Sequence, residues 1–221
     1  MNEKNMSLGE IAATGPSARG VLLSHQLDFC CKGKRTLAAA CEKAGLNTED
    51  IAVELQKAMQ GPSDQRDWSE APLNEIVDFI VETYHRPLAI QLDSVITAAE
   101  RVERVHGAKP SCPNGLAEHL RGMRMDMVSH MAKEEQVLFP AIVAGNRGTL
   151  LSAPVSLMMQ EHEGHGETLE ANRKFATDFV PPPEACATWR ALYEQLEKME
   201  ADLMDHIHLE NHVLFPRALQ A

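Results

Sequence analysis

Two stretches of this chain of 221 residues repeat one arrangement of metal-type side chains. Segments 130–140 and 206–216 both read H-x-x-x-E-x-x-V-L-F-P, 76 residues apart. With ten His and 22 Glu, an isolated H-x-x-x-E arises about once by chance. Two copies sharing the same Val-Leu-Phe-Pro tail imply a duplicated helical hairpin. The duplication extends upstream, because His85 and His162 stand 77 apart, one in the first helix of each half. Each half thus supplies a His from its first helix and a His–Glu pair from its second. Positions i, i+4 and i+8 of a helix share one stripe. Asp126, His130 and Glu134 therefore lie on one face, and Asp202, His206 and Glu210 on another. The apolar neighbours Met123, Met127 and Val137 turn the first face inward, and Met199, Leu203 and Val213 the second.

A core holding His85, His130, His162, His206, Glu134 and Glu210 needs a reason, since an unpaired buried carboxylate is costly. Cations remove that cost by taking the lone pairs. Six ligands exceed a four-coordinate structural zinc site. They suit two ions, with two imidazoles on each and both carboxylates shared as bridges. A bridging oxo or hydroxo group would leave each ion about five-coordinate, with one position open to a small diatomic molecule. Asp126, Glu161 and Asp202 are candidates for orienting the imidazoles from behind, or for lining a polar path to the metals. His165 is an alternative ligand. His208 lies about 200° around the helix from His206 and should face outward. His212, two residues past Glu210, is disfavoured, and His25, His106 and His119 have no counterparts in the other half.

Cys30 and Cys31 form a second chemical element, beside Lys32, Gly33, Lys34 and Arg35. A disulfide between neighbours is strained, so thiols are expected. The three cations and the start of the next helix should lower the thiol pKa, as at a reactive or metal-handling site. Cys41, on an Ala-rich helix, reads as core. Cys112 and Cys186 lie beside prolines in loops.

Apolar residues from Leu73 to Val105 recur at helical spacing, with a kink expected at Pro87. Further helices are expected over 116–143, bending at Pro140, and over 154–179, capped by Ser152. The last runs from the triple proline 181–183 to about Leu214, where Pro216 should stop it. Four such helices make an antiparallel four-helix bundle. Upstream, shorter helices are expected over 8–13, 18–25, 36–44 and 48–59, with Gly45 as a C-terminal cap and Thr48 as an N-cap. Residues 1–60 thus form a small helical domain, 61–72 a linker and 73–221 the bundle.

The formal net charge of −11 argues against nucleic-acid binding, which needs a basic surface. No run of 18 apolar residues suggests a membrane span, and residues 1–9 do not resemble a secretory signal. Five Cys without scaffold spacing point to a reducing, cytoplasmic setting.

Together, the Cys-Cys segment and the duplicated His–Glu bundle resemble the Repair of Iron Centers family, of the YtfE/ScdA type, along the whole chain. That resemblance implies an all-α, hemerythrin-like bundle holding two non-haem iron ions. The ligands it implies are His85, His130, Glu134, His162, His206 and Glu210, the set already picked by spacing. Glu134 and Glu210 would be the bridges, and Cys30 and Cys31 the functional thiols. It further implies repair of iron–sulfur proteins damaged by nitric oxide or oxidants, through iron donation and nitric oxide binding. Scavenging of nitric oxide, or its reduction to nitrous oxide with an outside electron donor, is the alternative. An oxygen carrier fits less well, since hemerythrin of that kind uses five His where four are offered here. A homodimer is left open.

Overall fold

The structure, a computed structural model, describes residues 3–60 and 68–220. The expected Gly61–Asp64 break lies outside the described residues. Four short helices come first: α1 (Leu8–Ala13), α2 (Pro16–Ser24), α3 (Leu37–Ala44) and α4 (Thr48–Met59). Ser7 and Glu10 form a capping box on α1, and Thr36 caps α3. Gly45 closes α3 at φ 69°, where a glycine meets no Cβ clash. The cap of α4 is Asn47 rather than Thr48; its Oδ1 accepts from Glu49 N at 2.9 Å.

The bundle consists of four rods. The first joins α5 (Leu73–Ile80) to α6 (Arg86–His106), and the second joins α7 (Leu116–Lys133) to α8 (Phe139–Val143). The third is α9 (Thr149–Phe175), and the fourth joins α10 (Ala187–Leu209) to α11 (Phe215–Leu219). α6 packs on α7 and α10, and α9 touches both α7 and α10, which closes the square. No strand occurs among the described residues.

Three rods are joined by π-helical turns, at Val81–His85, Glu134–Leu138 and Glu210–Leu214. Each is followed two residues later by a proline: Pro87, Pro140 and Pro216. Proline lacks an N–H and its ring crowds the carbonyl of residue i−4. The residue before it instead bonds five back, as in Phe139 N to Glu134 O and Phe215 N to Glu210 O. The widened turn absorbs the proline, so Pro216 does not end the last rod as expected. It also inserts one residue and rotates the stripe beyond it. Val137 is consequently 61% exposed, not inward, while Leu138 is buried. Val213 is only half-buried, and Leu214 takes the core position.

α9 starts at Thr149 and carries Pro154 within it, so neither Ser152 nor Pro154 marks its beginning. It ends at Phe175, because Thr177, Asp178 and Phe179 follow with φ of 50°, 53° and 62°. Trp68 and Ala71, expected in a connector, are buried in a cluster with Ile76, Phe139 and Phe215. Arg217 Nη1 donates to Trp68 O at 2.8 Å.

The N-terminal helices share one continuous apolar cluster with the bundle. Leu8, Leu22 and Phe29 are packed in the same cluster as Leu92, Met204 and Ile207. A polar anchor runs alongside, in which Arg19 Nε meets Asp205 Oδ1 at 2.6 Å.

Candidate metal centre

The π turns place the key side chains, since His85 ends the first while Glu134 and Glu210 open the other two. His162 comes from the middle of α9, and His130 and His206 from the ends of α7 and α10. All six side chains point into the bundle and are at most 3% exposed. They form two groups whose ligand atoms lie within 4.8 Å of one another. One is His85, Glu134, His206 and Glu210; the other is His130, Glu134, His162 and Glu210. Both glutamates belong to both groups. The sequence left the pairing of imidazoles open; here His85 faces His206 and His130 faces His162, each Nε2 to Nε2 at 3.1 Å.

Protons and lone pairs decide what this geometry fits. His85 Nδ1 lies 2.8 Å from Glu135 Oε1, and His130 Nδ1 lies 2.8 Å from Glu161 Oε2. A carboxylate only accepts, so both Nδ1 atoms carry the proton and both Nε2 atoms are bare. His162 Nδ1 lies 2.9 Å from Asn211 Oδ1. Asn211 Nδ2 donates to Cys30 O at 3.2 Å, which fixes the amide so that its Oδ1 must accept. His162 Nε2 is therefore bare as well. Bare Nε2 atoms then face each other and Glu134 Oε2, which stands 3.3 Å from His130 Nε2 and 3.5 Å from His85 Nε2. Neither oxygen of Glu134 has a hydrogen-bond partner among the described residues. Such a cluster of lone pairs is repulsive until a cation sits among them. Two ligand atoms bound at about 2.1 Å and at right angles stand about 3 Å apart, the spacing seen here. The donor set therefore fits a pair of cations.

Burial, and then the neighbouring Glu210, push the Glu134 carboxyl well above the usual range. At Glu210 burial pulls upward, but the His206 imidazole beside it outweighs that and holds the group low. Burial and the nearby His162 bring His130 down to about 4, and His85 is lowered by burial and His206. Both imidazoles are thus neutral near pH 7, the form that binds metal.

The rings are clamped by the repeated motif. Phe139 stacks on His85 at 5.7 Å and Phe215 on His162 at 6.0 Å, centroid to centroid. This is the work of the Phe in each Val-Leu-Phe-Pro. Behind the rings, Glu161 backs His130 and also pairs with Lys133, whose hold outweighs a burial that would raise its pKa. Asp126 is exposed and makes no bond to His130; it lines an open cavity with Glu161 and His165. Asp202 accepts from Gln91 at 3.4 Å and Lys198 at 2.6 Å, and does not reach His206. His206 Nδ1 has no hydrogen-bond partner among the described residues, and Tyr84 stacks on that ring at 5.2 Å.

Glu135 and Asn211, which do back imidazoles, escaped the sequence reading. The repeat offset would have found them, since they stand 76 residues apart, each directly after a motif glutamate. His165 is buried and packs edge-on against His130 at 4.6 Å, outside both ligand groups. His208 does turn away from the metal pocket, but its face is covered by the N-terminal helices, so it is buried against Phe29 rather than exposed. Burial holds its pKa down at about 3. The His212 ring lies beside Gly9 and Gly33 and reaches Cys30 O at 3.3 Å. His25, His106 and His119 are half-buried and bond to Glu54, Cys186 and the Thr168 carbonyl, away from the metal pocket.

The cysteine loop docks directly on this centre. Asp28 Oδ1 accepts from Cys31 N at 2.9 Å, and the two Sγ atoms lie 3.4 Å apart. Asp28, Cys30 and Cys31 bring their ligand atoms within 4.8 Å of one another. The expected lowering of the thiol pKa is reversed at Cys30, where the Cys31 thiol, burial and Asp28 raise it well above normal. The physical reason is that Lys32 is committed to Glu170 and Asp28, and Lys34 is exposed. Cys41 and Cys112 are buried, and Cys186 is exposed.

Known proteins give this architecture a class. Residues 77–218 match the hemerythrin HHE cation binding domain, and residues 4–59 match the ScdA N-terminal domain, a domain of unknown function (DUF542). The bundle is thus a hemerythrin-type cation-binding domain. The chain is 43% identical over 220 residues to the iron-sulfur cluster repair protein YtfE of Yersinia pseudotuberculosis serotype IB (strain PB1/+), covering 100% of this chain and 99% of that one. The YtfE protein of Yersinia pestis (strain Pestoides F) shows the same identity and coverage. The chain belongs to the YtfE family of iron-sulfur cluster repair proteins. Among the described residues no helix is long and apolar enough to cross a membrane.

Proposed function

We propose that this protein repairs iron–sulfur clusters damaged by nitrosative or oxidative stress, using iron held at the buried centre. The observation that carries the reading is the pair of four-residue groups sharing Glu134 and Glu210. His85 and His206 would hold one ion, His130 and His162 the other, and the two glutamates would bridge them. Iron is the metal proposed, because imidazole with carboxylate suits it and the curated relatives are named for iron–sulfur cluster repair. Bound ferrous ions supply Lewis acidity, two reducing electrons and an affinity for nitric oxide. The chain's own part is to keep the imidazoles neutral and oriented, to fix the bridges, and to enclose the centre in apolar side chains. Cys30 and Cys31 serve as thiols close to the centre, and the setting is a reducing, cytoplasmic one. The iron passed to a damaged client protein is the cargo of the reaction.

The test is to add the anaerobically loaded protein to an iron–sulfur enzyme inactivated by nitric oxide. Recovery beyond that given by equal free ferrous iron supports repair, and recovery no greater refutes it. Nitrous oxide formed in a single turnover, without recovery, would move the function to nitric oxide reduction, with an outside electron donor needed to restore the ferrous ions for further turnovers.

A further inference from the structure

The two halves of the repeat treat equivalent imidazoles differently. In the first half, the residue after the motif glutamate is Glu135, which takes His85 Nδ1 at 2.8 Å and has a side chain 43% exposed. In the second half the same position is Asn211, which takes His162 Nδ1 at 2.9 Å and is only 8% exposed. The spare capacity of Glu135 faces water. That of Asn211 is spent on the N-terminal domain, through Nδ2 to Cys30 O at 3.2 Å. A second contact joins the same partners, since Cys31 Sγ donates to His162 O at 3.0 Å. His162 is therefore touched by the cysteine loop at both its ring, through Asn211, and its backbone. The loop has little room to move independently, because a Cβ on Gly33 would lie 2.4 Å from both His212 Nε2 and Phe29 O.

We infer that Asn211 is a positioning residue that couples the state of the Cys30–Cys31 loop to the hold of His162 on its metal ion. This rests on the reading of His162 as a ligand. Asn211 sets the His162 tautomer and ring angle only while Cys30 O is in place to orient the amide. Modification of Cys31, which is half-exposed, displaces the loop, frees the amide to turn, and loosens one ligand of one ion. The other ion's His85 is backed by Glu135 rather than through the loop. The N-terminal domain thereby acts as a thiol-sensitive control on metal release.

At equilibrium, coupling of this kind is reciprocal: a loop state that weakens the hold on the metal must itself be disfavoured when the metal is bound. The experiment uses the full chain loaded with ferrous iron or, separately, zinc(II). Cys31 alkylation by iodoacetamide is followed by peptide mass spectrometry, with the exposed Cys186 as internal control. Metal loss is followed with a chromogenic chelator before and after alkylation. Metal should slow alkylation of Cys31 by about 5-fold or more and leave Cys186 unchanged, and alkylation should speed metal loss. Asn211→Leu should abolish both effects. Asn211→Asp, which keeps the size and the acceptor but cannot donate to Cys30 O, should retain metal and also lose the coupling. Metal bound by the wild type with no mutual effect, or coupling that survives both substitutions, overturns the inference while leaving the metal centre standing. A wild-type chain that takes up neither ion overturns both.

Discussion

Replacing Glu134 by Leu should reverse its effect on stability according to whether metal is present. In the metal-free protein the Glu134 side chain is fully buried and both carboxyl oxygens lack hydrogen-bond partners among the described residues. A buried unsatisfied polar group costs about 1–3 kcal/mol. Glu134→Leu removes two such atoms and fills nearly the same space, so the metal-free variant should be more stable by about 2–4 kcal/mol. For a chain of this length that raises the melting temperature by about 5–15 °C. With metal the order inverts. Each ion at 100 times its dissociation constant stabilises the fold by about 2.7 kcal/mol, and two such ions outweigh what the variant gains. Calorimetry with a chelator, and again after anaerobic ferrous loading, should show the two curves cross. A metal-free variant less stable than wild type would show that Glu134 earns its place through protein contacts, and would refute the reasoning.

Glu135→Leu removes the carboxylate behind His85 and should weaken metal binding 10–100-fold in chelator competition, with little loss of fold because the side chain is 43% exposed. Gly33→Ala drives a Cβ to 2.4 Å from both His212 and the Phe29 carbonyl. It should cost about 1–3 kcal/mol in urea denaturation and speed alkylation of Cys31. Burial depresses the His208 pKa from 6.5 to about 3, so between those values the unfolded chain binds the proton and the native one does not. The stability this neutral group permits is complete above about pH 6.5 and is lost as pH falls toward 3. His208→Phe in the metal-free protein should remove about 2–3 kcal/mol of the loss between pH 7 and pH 4.5. An unchanged pH profile would show that His208 is hydrated.

The helices and the duplication were legible because both are written in spacing. Apolar residues recur at helical intervals, and the metal-type residues return at offsets of 76 and 77. What misled was proline. Pro216 looks like a stop, and Val137 and Val213 look inward, only if the helix keeps one pitch. A π turn before each proline changes the phase, and no local residue preference announces it. A helical wheel turns His208 away from the metal pocket correctly, but it does not show that the N-terminal helices dock on that far side and bury the ring. The Cys30 thiol was expected to sit low because cations are near in sequence; in space the nearest charged group is Asp28, and Lys32 is engaged elsewhere. Asp126 and Asp202 share a stripe with the histidines, yet the groups that back the imidazoles come from other rods or from the residue after the motif glutamate. Glu161 and Tyr84 are likewise unequal counterparts in the two halves. They are 77 apart, each just before a first-helix His, and only Glu161 reaches an imidazole nitrogen.

The central claim is that six buried side chains hold two iron ions bridged by Glu134 and Glu210. Iron analysis with Mössbauer spectroscopy, on anaerobically prepared wild type and Glu134→Leu, tests it most directly. The account predicts close to two irons per wild-type chain with the signature of a coupled pair, and loss of that coupling in the variant. Well under one metal per wild-type chain, or a coupled pair that persists without Glu134, would contradict it.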